Sequence, residues 1–153
     1  MCYNYPITPL KGCSILNKHL PQIGDVYLMR FEGCGSEQSG WRPGMVFQNN
    51  TGNAFSPNII ALPLTSSLKK SSMPTHVVVP SEGTGLRRDS MVLCENPERM
   101  SKERIGSYIT RLPDEYISRV AAANLLASSA IAFLEPDVLL ALRQQAVTLN
   151  AVH

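Results

Sequence analysis

Two polar segments of the sequence contain residue types that bind a phosphate and stabilise charge on it. The first, at residues 35–43, contains Arg42, and the second, at residues 64–70, contains Thr65. A guanidinium stays charged and presents a planar fork of donors that matches phosphate oxygens. A hydroxyl can donate to a non-bridging phosphate oxygen. Pro43 restricts the backbone of Arg42 toward extended conformations, which helps to hold the arginine in place.

The group that would remove a proton in such chemistry is left open by the sequence. Glu37 and His76 are candidates for a general base or a substrate contact, and substrate positioning alone is a third possibility. Arginine is a poor general base because it scarcely exists in the neutral form that accepts a proton, so we assign Arg42 to charge stabilisation and consider proton donation as a second role.

Each candidate also has an ordinary structural explanation. An arginine before a proline is usually solvated or salt-bridged, and a threonine at the end of a strand often caps a turn. A histidine at the start of a strand is more often packed or hydrogen-bonded than catalytic, and His76 has that position. Glu95 could bind a loop backbone, and Lys69 with Lys70 is ordinarily a solvated pair.

Composition excludes several classes of function. The 153 residues suit one domain, and a net charge of +2 does not by itself indicate nucleic acid. The four cysteines form no Cys-x-x-Cys pair and have no ligand spacing to a histidine, so we expect neither a metal nor another cofactor. The chain shows no signal peptide and no apolar run as long as a membrane span. We therefore expect a cytoplasmic protein with free thiols and no membrane contact.

Short apolar runs between turn-rich segments predict a mainly β fold, a small barrel or sandwich followed by helices. Pro63 lies inside one of these runs and indicates an edge strand or a bulge. Start signals at Pro113 and at Glu135 predict two helices. The strands are predicted at residues 25–31, 45–48, 58–64, 76–79, 90–95 and 105–111, with a loop at 32–40 and a turn at 49–53.

The chain divides into three predicted parts. Residues 1–22 contain three prolines and no clear period, and they predict a loosely ordered arm. Residues 23–134 form the barrel domain with its helix, and residues 135–153 form a helical extension. We expect Ile117, Val120 and Leu125 to pack on the barrel or on a dimer mate. The face formed by Leu139, Leu142 and Ala146 either does the same or offers a groove to a partner segment.

Six short motifs, taken in order, resemble the MazF/PemK family of toxins over roughly residues 23–134. Trp41, Cys94 and both extensions depart from the family pattern. The motifs are G-D at 24–25, G-S-E-Q-x-G-x-R-P at 35–43, Q-N-x-x-G-N-x-x-S-P at 48–57, T-S-x-x-K-K at 65–70, P-T-H at 74–76 and D-S-x-V-L-x-E at 89–95.

The resemblance implies a small SH3-like β-barrel of the CcdB/PemK type that forms a homodimer. It implies a sequence-specific, metal-independent endoribonuclease that cuts single-stranded RNA by attack of the 2′-OH, leaving a 2′,3′-cyclic phosphate and a 5′-OH. It also implies inhibition by a cognate antitoxin, and DNA binding together with that antitoxin. Arg42 and Thr65 are the catalytic pair to which the resemblance points.

Further RNA contacts are expected along the same motifs. Lys69 and Lys70 adjoin Thr65, where they could steer phosphates. Trp41 and Phe55 could stack on bases, since single-stranded RNA is recognised by stacking on aromatic rings, or could equally be core or dimer contacts. The full set of expected RNA-binding residues is Ser36, Gln38, Trp41, Gln48, Asn49, Asn53, Phe55, Ser66, Lys69, Lys70 and Glu95.

Two other functions compete with RNA cleavage. CcdB-like relatives poison a protein target, DNA gyrase, and that activity would not require the pair of Arg42 and Thr65. A nuclease-dead module would keep only the antitoxin groove, although both polar segments are intact here. Fold alone does not choose among these functions.

Overall fold

The computed structural model describes residues 19–33 and 39–151. The strands in these ranges are β1 Asp25–Glu32, β2 Ser39–Val46, β3 Asn58–Thr65, β4 His76–Val79, β5 Ser90–Leu93, β6 Glu98–Ser101 and β7 Ile105–Arg111. The helices are α1 Asn50–Phe55, α2 Asp114–Ser128 and α3 Pro136–Asn150, with 3-10 turns at Lys102–Arg104 and Ala130–Phe133. Most of the predicted arm, residues 1–18, lies outside the described residues.

The strands form one antiparallel sheet in the order β4-β5-β3-β2-β1-β7, and β6 pairs with β3 outside this path. The expected mainly β fold with C-terminal helices is confirmed. No hydrogen-bonded pairing joins β4 to β7 in the part of the chain that the structure describes, so the sheet is not a closed barrel.

Both faces of the central strands are buried. Successive side chains of a strand project to opposite faces, and on β1 Val26 belongs to one core while Met29 belongs to another. Helix α2 covers the first core through Val120 and Ala123. The second core is a separate buried cluster that contains Met29 and, from β6, Met100.

Strand β2 begins six residues earlier than the sequence predicts. Residues 39 and 40, expected in a loop, pair with the end of β1, and the ladder runs from Glu32↔Ser39 to Val26↔Met45. This strand needs a glycine at residue 44, because a Cβ there would stand 2.7 Å from Sδ of Met29. Pro43 and Gly44 are residue types typical of loops, but Gly44 is explained by the close packing of β2 on β1. Arg42 therefore lies on a strand rather than in a loop.

The asparagine-rich turn expected at residues 49–53 is a short helix. The side chain of Asn49 accepts a hydrogen bond from the backbone N–H of Gly52 at 2.9 Å and caps α1. Asparagine favours turns and helix caps for the same reason, its short polar side chain, so the turn signal was a cap signal. Strand β6 was not predicted, and β5 ends at Leu93 rather than at residue 95.

Pro63 lies where β3 changes partner. On one side β3 pairs with β2, and Pro63 stands opposite Gly44. On the other side it pairs with β6 up to Ala61 and with β5 from Leu64 onward. Proline has no N–H to donate, and a proline is tolerated at this position because no strand in the described part of the chain pairs with it on that side. The prediction of an edge or a bulge was therefore wrong, because β3 is central.

Helices α2 and α3 each begin one residue after the predicted start. Their packing agrees only in part with the expectation. On α2, Val120 is buried and Ile117 packs on the first core, but Leu125 is 40% exposed. Helix α3 has no buried residue and is joined to α1 through bonds to Asn50. No helix within residues 19–33 and 39–151 is long and apolar enough to span a membrane.

Candidate active site

Arg42 projects from β2 beside the end of the sheet where β1 and β2 are joined. It pairs with Met29 of β1. Its Nη2 donates to the carbonyl oxygen of Ser39 at 2.7 Å, which holds the guanidinium back along its own strand. The side chain is half-buried. The position therefore restricts the arginine without removing it from solvent.

Thr65 ends β3, the strand next to β2. The β2–β3 ladder runs Val46↔Ala61, Met45↔Leu62 and Gly44↔Pro63. Continued by two residues past Gly44, this register sets Arg42 across from Thr65.

Arg42 and Thr65 also share one face of the sheet. Val46 of β2 and Ala61 of β3 both belong to the second core. Side chains alternate along a strand, so Arg42, four residues from Val46, and Thr65, four residues from Ala61, project to that same face. The fold thus places the two expected catalytic residues on one face of neighbouring strands, although 22 residues lie between them in the sequence.

His76 is a buried connection between two loops. Its side chain is 4% exposed. Nδ1 lies 2.7 Å from the carbonyl oxygen of Lys70, and Nε2 lies 2.7 Å from Oε1 of Glu95. His76 and Glu95, both predicted site residues, are therefore in contact, and the two ring nitrogens of His76 each face an oxygen of the protein.

The basic residues expected near Thr65 are open to solvent. Ser66, Lys69 and Lys70 are exposed on the loop that follows β3. Thr65 Oγ1 accepts from the backbone N–H of Ser67 at 3.1 Å, which turns the chain away from the strand. Two solvent-exposed ammonium groups within five residues of Thr65 suit the attraction of a phosphate backbone.

A groove of about 450 Å³ opens beside this end of the sheet. It lies between the end of β1, the middle of β3 and the β5–β6 turn. Arg104, which the sequence analysis did not single out, spans it by donating to the carbonyl oxygen of Arg30 at 2.9 Å and pairing with Glu98. No local motif marks Arg104, because its partners come from distant strands.

The remaining expected RNA contacts fall in a second group at the opposite end of β2 and β3. Gln48 lies six residues from Arg42, a distance of roughly 20 Å along an extended strand. The amides here have internal partners: Gln48 Nε2 donates to Asn58 O at 3.3 Å and Asn53 Nδ2 to Gln48 O at 2.9 Å. Phe55 is 57% exposed. The structure does not bring this group to Arg42, and its contact with RNA stays a prediction.

Trp41 precedes Arg42 on β2, so its side chain projects from the other face. The indole is 57% exposed. It is not beside the guanidinium as its sequence position suggests. Glu37, Ser36 and Gln38 lie outside the described residues.

Cys94 is an unreactive thiol behind the site. It is fully buried in the first core. Burial, with a smaller contribution from the nearby Glu95 carboxylate, raises the pKa of Cys94 to about 12. A protonated, buried thiol is neither a nucleophile nor a metal ligand.

The fold and the site define a small, mainly β protein whose sheet presents a guanidinium and a hydroxyl on one face, beside two solvent-exposed lysines. The chain belongs to the family of PemK-like, MazF-like toxins of type II toxin–antitoxin systems, whose model matches residues 22–126. The matched region ends inside α2, and α3 lies beyond it.

Known proteins of the family resemble this chain over most of their length. Endoribonuclease EndoA of Bacillus subtilis is 39% identical over 111 residues, which are 72% of this chain and 96% of the relative. The family and the enzyme class predicted from the sequence, an endoribonuclease toxin, are confirmed.

Solved structures show the same fold. MazF of Deinococcus radiodurans superposes with a TM-score of 0.64 at 22% identity, over 73% of this chain and 99% of that one. A mycobacterial endoribonuclease in complex with its cognate antitoxin gives 0.60 at 23% identity, over 72% and 96%.

Proposed function

We propose that this chain cuts single-stranded RNA at a specific sequence, without a metal ion, by attack of a 2′-OH on the adjacent phosphorus. The observation that carries the proposal is the placement of Arg42 and Thr65 on one face of neighbouring strands. A phosphate between them would receive a charged fork from one strand and a hydroxyl from the next.

Each residue has a part in that reaction. The 2′-OH gives up its proton, to Glu37 or to water, as the 2′-oxygen forms a bond to phosphorus. The bond to the 5′-oxygen breaks, and the products are a 2′,3′-cyclic phosphate and a 5′-OH. Negative charge grows on the non-bridging oxygens as the fifth bond forms. Arg42 and Thr65 stabilise that charge, and Arg42 is the candidate donor of the proton that the leaving oxygen needs. Lys69 and Lys70 attract the RNA backbone.

We further propose that the toxin works in the cytoplasm as a homodimer held in check by an antitoxin. A mycobacterial structural neighbour was solved with its cognate antitoxin. Apolar side chains are exposed after the middle of α2, including Leu126 at 56% and Phe133 at 86%. Such residues are ordinarily covered by a partner surface.

The test is end-group mapping on a long single-stranded RNA in the presence of a chelator. We expect cuts at one sequence that leave a 2′,3′-cyclic phosphate and a 5′-OH. Arg42→Ala should lower kcat/KM by at least about 10²-fold, as removal of one preorganised donor does. Arg42→Lys, which keeps the charge without the fork, should recover part of the loss.

Arg99→Ala is the matched control, since Arg99 is an exposed arginine on β6. Full activity in Arg42→Ala, or a requirement for added metal, would contradict the mechanism. A folded wild type that cuts no RNA would favour a toxin that acts on a protein target.

A further inference from the structure

We propose that His76 is a positioning residue that holds the loop after Thr65 against the β5–β6 turn, and that it is not the general base. This loop, the β3–β4 loop, comprises residues 66–75. The inference rests on the proposed RNA cleavage and adds how the loop beside its catalytic hydroxyl is held in place.

The surroundings of His76 leave no ring nitrogen for a substrate. Nδ1 faces the carbonyl oxygen of Lys70 and Nε2 faces Oε1 of Glu95, both at 2.7 Å. A general base must present a free lone pair within hydrogen-bond reach of the proton that it removes. With its side chain 4% exposed, the ring is placed to join two protein segments.

The Glu95 end of this connection is anchored to the body of the protein. The backbone N–H of Cys94 donates to the carbonyl oxygen of Thr75 at 3.0 Å. The carbonyl oxygen of Cys94 accepts from Nδ2 of Asn124, on α2, at 2.8 Å. Glu95 therefore follows a residue whose main chain is bonded on both sides, so the backbone that carries the carboxylate is held in place.

The Lys70 end pins the middle of the β3–β4 loop. The carbonyl oxygen of Lys70 accepts from His76 and also from the backbone N–H of Met73 at 3.2 Å. The backbone N–H of His76 donates to the carbonyl oxygen of Met73 at 3.0 Å. A loop bonded at its middle and at its end has few conformations. Thr65 and Lys69, at its start, are thereby presented at a constant position, which catalysis by orientation requires.

Three substitutions at one position separate positioning from proton transfer. An asparagine amide can take the place of Nδ1 opposite the Lys70 carbonyl oxygen, a glutamine amide can take the place of Nε2 opposite the Glu95 carboxylate, and alanine replaces neither. We expect His76→Ala to lower kcat by about 10–100-fold with KM changed less than about threefold, in line with the cost of a misplaced catalytic group. His76→Asn and His76→Gln should each recover part of that loss.

Hydrogen exchange of the β3–β4 loop amides gives a second readout that does not depend on activity. His76→Ala should speed exchange in residues 66–75. His19→Ala is the matched control, because His19 also bonds a carboxylate, with Nε2 3.0 Å from Asp25 Oδ2, but is 52% exposed at the other end of β1. The control should change neither the exchange of the loop nor kcat.

The outcomes are distinct. Equal loss of kcat in all three variants with unchanged loop exchange would identify His76 as the base and overturn the proposal. Unchanged kcat together with unchanged exchange would overturn it as well. A wild type that cuts no RNA would remove the proposed function, and the exchange experiment would still support or overturn the connection made by His76.

Discussion

Gly106 of β7 lies against the indole ring of Trp41 of β2. A Cβ atom at Gly106 would stand 3.1 Å from Cζ3 of Trp41 and 3.0 Å from the carbonyl oxygen of Leu28. Strand β1 lies between β2 and β7, so the indole reaches across one strand to the next. The missing side chain at residue 106 makes room for an aromatic surface that the sheet supports and solvent still reaches.

Trp41 should report on RNA binding directly, since it is the only tryptophan in the chain. If bases stack on it as predicted, single-stranded RNA with a 2′-O-methyl group at the cut site should quench its fluorescence. Gly106→Ala should weaken the quenching, because the added methyl group displaces the ring. Bound RNA, detected by anisotropy, with unchanged fluorescence would show that Trp41 is a structural or dimer contact instead.

The hydroxyl of Thr65 should matter more than its shape. Thr65→Val removes the donor and keeps the branched side chain, so kcat/KM should fall about 10–100-fold, while Thr65→Ser should stay within about threefold. Initial cleavage rates on a short RNA would measure this. Thr51→Val is the control, since that hydroxyl bonds the Leu149 carbonyl oxygen at 2.8 Å, at the other end of β3. Similar losses in the serine and valine variants would argue against hydroxyl donation.

Cys94 should resist thiol reagents while the protein is folded. Its pKa is raised to about 12, so at pH 8 only about 1 thiol in 10⁴ is ionised. In a variant with serine at residues 2, 13 and 34, labelling should be slow at pH 8 and about tenfold faster per pH unit above it. Adding Glu95→Gln removes the negative charge that helps to raise this pKa, so labelling should speed up. Rapid labelling of the folded variant at pH 8 would contradict the buried position.

Helix α3 should contribute to stability and little to cleavage. Asn50 donates from its backbone N–H to Asn150 Oδ1 at 3.0 Å and from Nδ2 to Asn150 O at 3.1 Å. A chain ending after Leu134 loses these two hydrogen bonds, which should cost about 2 kcal/mol in the free energy of unfolding. Urea unfolding would measure the loss, and a chain ending after Ala151 is the control. A large drop in kcat would mean that the extension is part of the active protein.

The sequence could indicate a candidate catalytic pair because residue types alone suggest it. An arginine before a proline and a threonine before two lysines are visible without any fold, and six ordered motifs indicate the family. The partners of His76 were not visible, because Lys70 and Glu95 reach it only after β4 and β5 have paired. Asn124 and Arg104 were missed for the same reason, since their bonds join segments that are far apart in sequence.

Packing outweighs the local sequence signals at β2. Residues 39–46 resemble a loop, yet they form β2, because pairing with β1 satisfies the backbone and Gly44 allows close contact with Met29. The sequence by itself determined the class of chemistry, the family and most strand positions, since these follow from side-chain types and short periodicities. Only the tertiary structure decided which predicted residues share a face: antiparallel register sets Arg42 and Thr65 on one face of neighbouring strands, and strand alternation turns Trp41 to the other face.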